Sequence, residues 1–323
     1  MKTYIIRRFI HMIPLLIGIS LVTFFLINRT PGDYLARMKL NPQISAEVIE
    51  AERVRLGLDN PHWYVRYFKW LKNVALHLDF GYSFSTNQPV FTVIKERLFN
   101  TFILSFSAII VAWIISLPLG ILSAVYQYRI VDKLCSAFAF FGLSIPDVFF
   151  ALLMVLFAKV TGLFPTGGLR SLNFDELSFS SKVLDMAHHL ILPTIVLATG
   201  SMATLMRQMR GNLLDTLHMD YVTVARAKGL SEPVVILKHA TRNAINPLIT
   251  LFGYSLSGIL SGAFLVEIVF SYPGLGRTTV EALFSKDMYL VVATVLMASV
   301  LLIIGNLISD ILLSISDPRI RLE

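Results

Sequence analysis

"DYVTVARAKGLSEPVVILKHATRNAINPL", residues 220–248, is the most charged run in the second half of the chain, and apolar segments 190–206 and 243–266 border it. Nine charged side chains fall between Arg207 and Arg242. Each would cost about 2.5–3.5 kcal/mol near a bilayer centre, so this stretch cannot be a span. Asp220 near the start of "DYVTVARAK" and Arg226 and Lys228 near its end suit the dipole of a short helix. Gly229 supplies a left-handed stop. Ser231 is placed to cap a second helix with Glu232 and Pro233 in its first turn, running to Asn246, and Pro247 leads into the next apolar segment. Helix, glycine turn and helix make a docking shape, although an ordinary polar loop is also compatible with the pattern.

Composition sets the surroundings of that stretch. Of 323 residues, 55% are hydrophobic and only 15% charged, with a mean hydropathy of +0.68. A soluble domain carries about a quarter charged residues, so the chain reads as a polytopic membrane protein. Its single cysteine, Cys135, excludes an internal disulfide framework and a cysteine-based zinc site. The net charge of +7 is scattered through loops with no basic stripe and interleaved aromatics, which argues against nucleic acid and for orientation in a bilayer.

A helix needs about 20 apolar residues to cross a hydrocarbon core. Six stretches qualify or come close: 9–28, 99–128, 134–158, 190–206, 243–266 and 288–309. The first is too long for a signal-peptide core and lacks a small-residue cleavage site, so it reads as a retained anchor in domain 1–28. Placing the N-terminus inside puts Lys2, Arg7, Arg8, Arg129 and Lys133 on the inner side. Arg207, Arg210, Arg226, Lys228, Lys238, Arg242, Arg319 and Arg321 join them there. The two short outer loops keep only Arg170, Lys182, Arg277 and Lys286. The expectation is therefore an all-α membrane protein of six transmembrane helices, N-in and C-in, with 220–248 cytoplasmic. Segments 99–316 form its membrane core, with a loop at 207–246, and 317–323 its tail.

The extracytoplasmic segment 29–98 reads as folded. In "SAEVIEAERVRLG", Ser45 is a natural N-cap, acids come early and bases late, and Gly57 marks the stop. "PHWYVRYFKWLKNVALHL" puts Trp63, Tyr67, Trp70, Leu71 and Val74 on one helical face. An amphipathic helix on the membrane surface and a packed mini-domain both fit that face.

The order Ala225-Arg226-Ala227-Lys228-Gly229-Leu230-Ser231, then His239, Arg242-Asn243-Ala244 and Pro247, resembles the cytoplasmic coupling loop of binding-protein-dependent ABC importer permeases. The likeness is to the dipeptide, oligopeptide and nickel branch, and within it to the first, "B"-type permease subunit. "RTPGDY", "LGLDNP", "DFGYSF", "PLGILSA", "GLSIPDVFFALLMVLFAKVTGLFPTGG", "QMRGNLL", "VEIVFSYPGLGR" and "SDPRIR" fit the same family in the expected order over nearly the whole chain. Departures are local. Thr223-Val224-Ala225 stands where the general motif has Glu-Ala-Ala, and Leu78-Asp79 stands where Gly-Asp is usual.

The resemblance implies a transport subunit, not an enzyme. It has no cofactor of its own, since ATP and Mg bind to partner ATPases, and no Walker-A pattern occurs in the chain. The implied partners are a second homologous permease, two ATP-binding subunits, an extracytoplasmic substrate-binding protein and the lipid bilayer, in a prokaryotic cytoplasmic membrane. The implied cargo is di- or oligopeptide, with nickel complexes, glutathione or oligosaccharides as alternatives. Asp220, Ala225, Ala227, Gly229 and Leu230 are the expected ATPase contacts, within a coupling region at 215–246. A secondary transporter or channel is the competing class, but it would be expected to show paired internal repeats, and no convincing repeat is visible.

Intramembrane charges point to function because they are costly. Asp147, after Pro146, is expected either to line the path and receive a peptide's amino group or to be a helix-break acid bonded to backbone. Glu267 is expected at an outer gate or paired with a base. Gly253, Ser257 and Ser261 form a small-residue stripe suited to close helix packing. His188-His189 is read as interfacial because adjacent rings diverge by about 100° on a helix.

Overall fold

A computed structural model describes residues 2–30, 32, 34, 35, 45–57 and 62–316, with the side chains of 2–5, 9, 250, 253–262, 309 and 312–316 excepted. The chain is helical: α1 Lys2–Arg29, α2 Ala46–Arg55, α3 Trp63–His77, α4 Val90–Val125, α5 Ile130–Ser144, α6 Asp147–Thr161 and α7 Phe179–Leu217. There follow α8 Asp220–Ala227, α9 Glu232–Val234, a π-helical turn Val235–Ala240, α10 Thr241–Ala244, α11 Asn246–Val269, α12 Leu275–Ser285 and α13 Met288–Ser316. Among the described residues the only extended pairing is an isolated bridge between Tyr82 and Pro89. Two compact units form, one built chiefly on Phe102–Tyr272 and the other on Ile5–Thr101 with Pro273–Leu301.

In the second of these, α2 forms as its sequence dictates. Ser45 Oγ accepts the Val48 N–H at 3.4 Å, Glu47 sits in the first turn, Arg53 and Arg55 in the last, and Gly57 follows at φ +66°. The aromatic face of α3 is packed, not spread on a surface. Tyr67 and Trp70 are buried and meet Phe24 of α1 at centroid distances of 5.4 and 6.3 Å, while Trp63 meets Phe25 at 5.3 Å. The polar atoms of its two large aromatics are bonded: Tyr67 Oη lies 2.9 Å from Ser20 Oγ, and Trp70 Nε1 donates to Phe80 O at 3.1 Å. Asp287, fully buried, N-caps α13 through the Leu290 N–H at 3.2 Å. Its other oxygen takes Ser83 Oγ at 2.6 Å and the N–H and Oγ of Ser85 at 2.9 and 3.0 Å. One carboxylate thus ties the segment after α3 to the start of α13.

In the other unit α7 is the central element, contacting α5, α6 and α11 and burying Leu192, Val196, Leu197, Met202, Leu205, Met209 and Leu213. Close approach is secured by glycines. A Cβ on Gly120 of α4 would lie 2.7 Å from Met209 Cβ and 2.8 Å from Met206 O, and one on Gly142 of α5 would lie 3.0 Å from Thr199. Small residues let apolar helices pack tightly where lipid offers no hydrophobic drive. The stripe expected at 253–261 lies outside the described side chains.

Helices α1, α4, α7 and α13 are long and apolar enough to cross a membrane. α4 and α7, at 36 and 39 residues, exceed that need and must project beyond the hydrocarbon. The third expected span is not straight. α5 and α6 are bent by 102° at Ile145-Pro146. Proline removes a backbone donor and pushes its predecessor out of the helical region, and Ile145 is extended at φ −95°, ψ 121°. Each half, with 15 residues, spans only about 22 Å.

Candidate functional site

The charged stretch forms a folded element. α8 buries Val222 and Ala225, one helical turn apart, in the same apolar cluster that takes Val235, Ala240 and Ala244. That inward stripe holds the segment against the membrane core. Asn212 Nδ2 of α7 donates to Ala244 O at 3.0 Å, and Asn243 Nδ2 donates to Tyr221 Oη at 2.7 Å, linking α8 to α10. Gly229 adopts φ +75°, a left-handed conformation costly for residues with a Cβ. Across that turn Arg226 Nε and Nη2 reach the Glu232 carboxylate at 2.8 and 3.4 Å.

Ser231 occupies the N-cap of α9 as expected, but its side chain makes no capping bond. Its backbone carbonyl accepts from Val234 and Val235, both at 3.0 Å. The second helix is also less regular than expected, since α9 runs into a π-helical turn carrying Lys238 and His239 before α10. Extra residues of this kind recur at functional sites in helices.

Of the five expected contact residues, Asp220, Ala227, Gly229 and Leu230 are exposed along one continuous segment. Ala225 is not on that face, because it packs inward at 6% exposure. The i, i+3 spacing of Val222 and Ala225 carries that information, whereas the motif alone does not. The exposed face also includes Met219, Tyr221, Val224, Val234 and Leu237, an apolar surface interleaved with Asp220, Arg226 and Lys228.

The two acids expected within the membrane sit in opposite environments. Asp147 is exposed at the first position of α6, next to the bend. A Cβ on Gly200 of α7 would lie 3.8 Å from its Oδ1. Glu267, near the end of α11, is fully buried, and its backbone carbonyl accepts the N–H of buried Tyr272 at 2.8 Å. His188 Nε2 lies 3.0 Å from Leu163 O and His189 Nδ1 2.8 Å from Asp185 O, so the rings are held by different carbonyls. Among the described residues no group of histidine, cysteine and carboxylate side chains has metal-ligating geometry.

Residues 116–322 match the family described as "Binding-protein-dependent transport system inner membrane component", and residues 1–105 match the N-terminal component of such systems. The chain belongs to this family. The permease is 42% identical to the oligopeptide transport system permease protein AppB of Bacillus subtilis (strain 168), over 99% of this chain and 100% of that protein. It is 36% identical to the dipeptide transport system permease protein DppB of Alkalihalophilus pseudofirmus, over 99% of this chain and 100% of that one. With the glutathione transport system permease protein GsiC of Escherichia coli (strain K12) it shares 34% identity over 99% of each chain. A chain in an inward-facing structure of the MetNI methionine ABC transporter superposes with a TM-score of 0.51 and 17% identity. That match covers 69% of this chain and 97% of the other, a likeness of fold. The permease is therefore a multi-pass subunit of an ABC importer of the peptide and glutathione family. Permeases of this family are not themselves enzymes and carry no cofactor of their own.

Proposed function

We propose that the permease carries di- or oligopeptides inward as one of two homologous transmembrane subunits, driven by two ATP-binding subunits and supplied by an extracytoplasmic binding protein. The observation that carries this reading is the segment around Gly229: an exposed, apolar-studded turn anchored by buried Val222 and Ala225 on a folded base. A rigid base with a protruding face is what a motion-transmitting contact requires. Asp220, Ala227, Gly229 and Leu230 form the contact with an ATPase subunit, Ala225 seats α8 from behind, and residues 215–246 act together as the coupling region. The full-length identity to an oligopeptide permease supports a peptide cargo. Glutathione is the second reading, favoured by the 34% identity to GsiC.

Six spans with both termini on the cytoplasmic side of a prokaryotic inner membrane complete the reading. Domain 1–28 is the anchor, 29–98 the extracytoplasmic part, 99–316 the core and 317–323 the tail. Asp147 meets the cargo's amino group on the translocation path, and Glu267 belongs to the gate. The test is Gly229→Val in the assembled transporter. ATPases that still co-purify but no longer respond to peptide-loaded binding protein are the expected outcome. Unchanged stimulation and uptake would overturn the coupling assignment.

A further inference from the structure

A cleft of about 240 Å³ opens between α2, α3 and the start of α13. Arg66 and Lys69 line it, with Arg55, which is already paired with Glu52 at 2.5 Å; among the described residues the one lining acid is Asp79, whose Oδ1 accepts the Gly81 N–H at 2.9 Å. Its floor is built for close approach. Gly57 and Gly81 both hold positive φ; a Cβ on Gly57 would lie 3.4 Å from the Tyr289 hydroxyl and one on Gly81 3.3 Å from its ring. The cleft lies where apolar helices end. Arg66 donates to Asn28 in the last turn of α1, and Tyr289 is in the first turn of α13. Buried Trp70 forms another wall. Arginine and lysine beside the ends of membrane helices are residues that meet lipid headgroups. The volume is below the range of about 300–1,000 Å³ usual for drug-sized ligands, too small for an oligopeptide but of headgroup size.

We propose that this cleft binds a phosphate, either the headgroup phosphate of an anionic phospholipid or free inorganic phosphate. A guanidinium and an ammonium lining one concave wall can bind phosphate by charge-assisted hydrogen bonds. The proposal rests on the membrane reading of α1 and α13 and is independent of the coupling segment, so failure of one leaves the other standing.

The test uses the assembled, delipidated transporter, titrated in one arm with phosphatidylglycerol in mixed micelles and in the other with inorganic phosphate. Native mass spectrometry and thermal shift are the readouts. Wild type is expected to bind saturably, and Lys69→Gln to weaken binding about fivefold, the effect of one basic side chain at a lipid surface. Lys69 is exposed, so its replacement leaves the packed core untouched. Arg66→Gln combined with Lys69→Gln should weaken binding roughly twenty-five-fold. Lys72→Gln, on the same helix but not lining the cleft, should bind as wild type. A response to the lipid alone assigns the headgroup, and a response to both arms, or to inorganic phosphate alone, assigns phosphate. Equal binding by wild type and Lys69→Gln, or no saturable binding in either arm, overturns the proposal.

Discussion

Arg210 grips Asp132 from 78 residues away through two parallel hydrogen bonds, Nε to Oδ1 and Nη2 to Oδ2, each 2.8 Å long. Ser123 Oγ at 2.5 Å, the Tyr128 N–H at 2.9 Å and Ser136 Oγ at 3.5 Å also donate to the carboxylate, so one acid joins the α4–α5 turn to α7. Asp132 lies ahead of the apolar run that begins at Leu134. The Arg210 hydrogen bonds, followed by those from Ser123 and Tyr128, hold its carboxyl well below the usual carboxylate range. Removing one partner of a buried pair strands the other. Arg210→Met is therefore expected to cost about 3 kcal/mol, and Asp132→Asn in the same chain to restore most of that loss. Thermal unfolding of the purified complex measures both.

The sign of the pH effect follows from the same pair. A group whose folded pKa is depressed contributes stability above its unfolded pKa, about 4 for aspartate, and loses it as pH falls through the folded value. Wild type should therefore lose stability faster than Asp132→Asn as pH drops below about 4. Parallel pH–stability curves for the two proteins would refute the assignment.

Local chemistry made α2 and the turn at Gly229 legible in the sequence, since Ser45, Gly57 and Gly229 act on their own neighbours. The aromatic stripe of α3 was legible as a stripe, but its partner was not, because a helical period does not say whether lipid or Phe24 covers the rings. Asp132 illustrates the harder limit. Its sequence neighbours Arg129 and Lys133 are the obvious charge partners, yet the fold supplies Arg210. Pro146 marked a break in the third span, but the 102° bend depends on what α5 and α6 pack against. The motif alone does not say that Ala225 packs inward, at 6% exposure.

Two glycines should respond oppositely to the same methyl group. A Cβ on Gly167 would lie 2.2 Å from the carbonyl oxygen of Phe270, which accepts the Gly168 N–H at 2.8 Å. Gly167→Ala must push that backbone contact apart and should destabilise by about 3 kcal/mol. Gly211, inside α7, has nothing within 4 Å of its would-be Cβ, so Gly211→Ala should gain up to about 1 kcal/mol of helix stability. Denaturation midpoints of the two variants, read side by side, decide this.

The orientation of the spans can be tested with the chain's own scarcity of thiols. Cys135 is the only cysteine and is buried, so Cys135→Ala provides a silent background. Leu172, fully exposed between α6 and α7, should react as Leu172→Cys with a membrane-impermeant maleimide in intact cells. Lys228→Cys, beside the Gly229 turn, should react only after permeabilisation. The reverse pattern would invert the topology.

Leu78 stands where the family usually has glycine, and the structure gives that departure an energetic meaning. It caps α3 in the left-handed conformation, φ +52° and ψ +29°, with its backbone N–H bonded to Val74 O at 3.1 Å. A side chain there pushes its Cβ toward the following carbonyl, at about 1–2 kcal/mol, and at 67% exposure it buries little in return. Glycine removes the clash but adds freedom to the unfolded chain. Leu78→Gly should therefore stabilise the permease by about 1 kcal/mol, and Leu78→Asn, which tolerates the left-handed region, by less. A Leu78→Gly variant that unfolds earlier than wild type would show that the leucine contributes packing which outweighs its backbone strain.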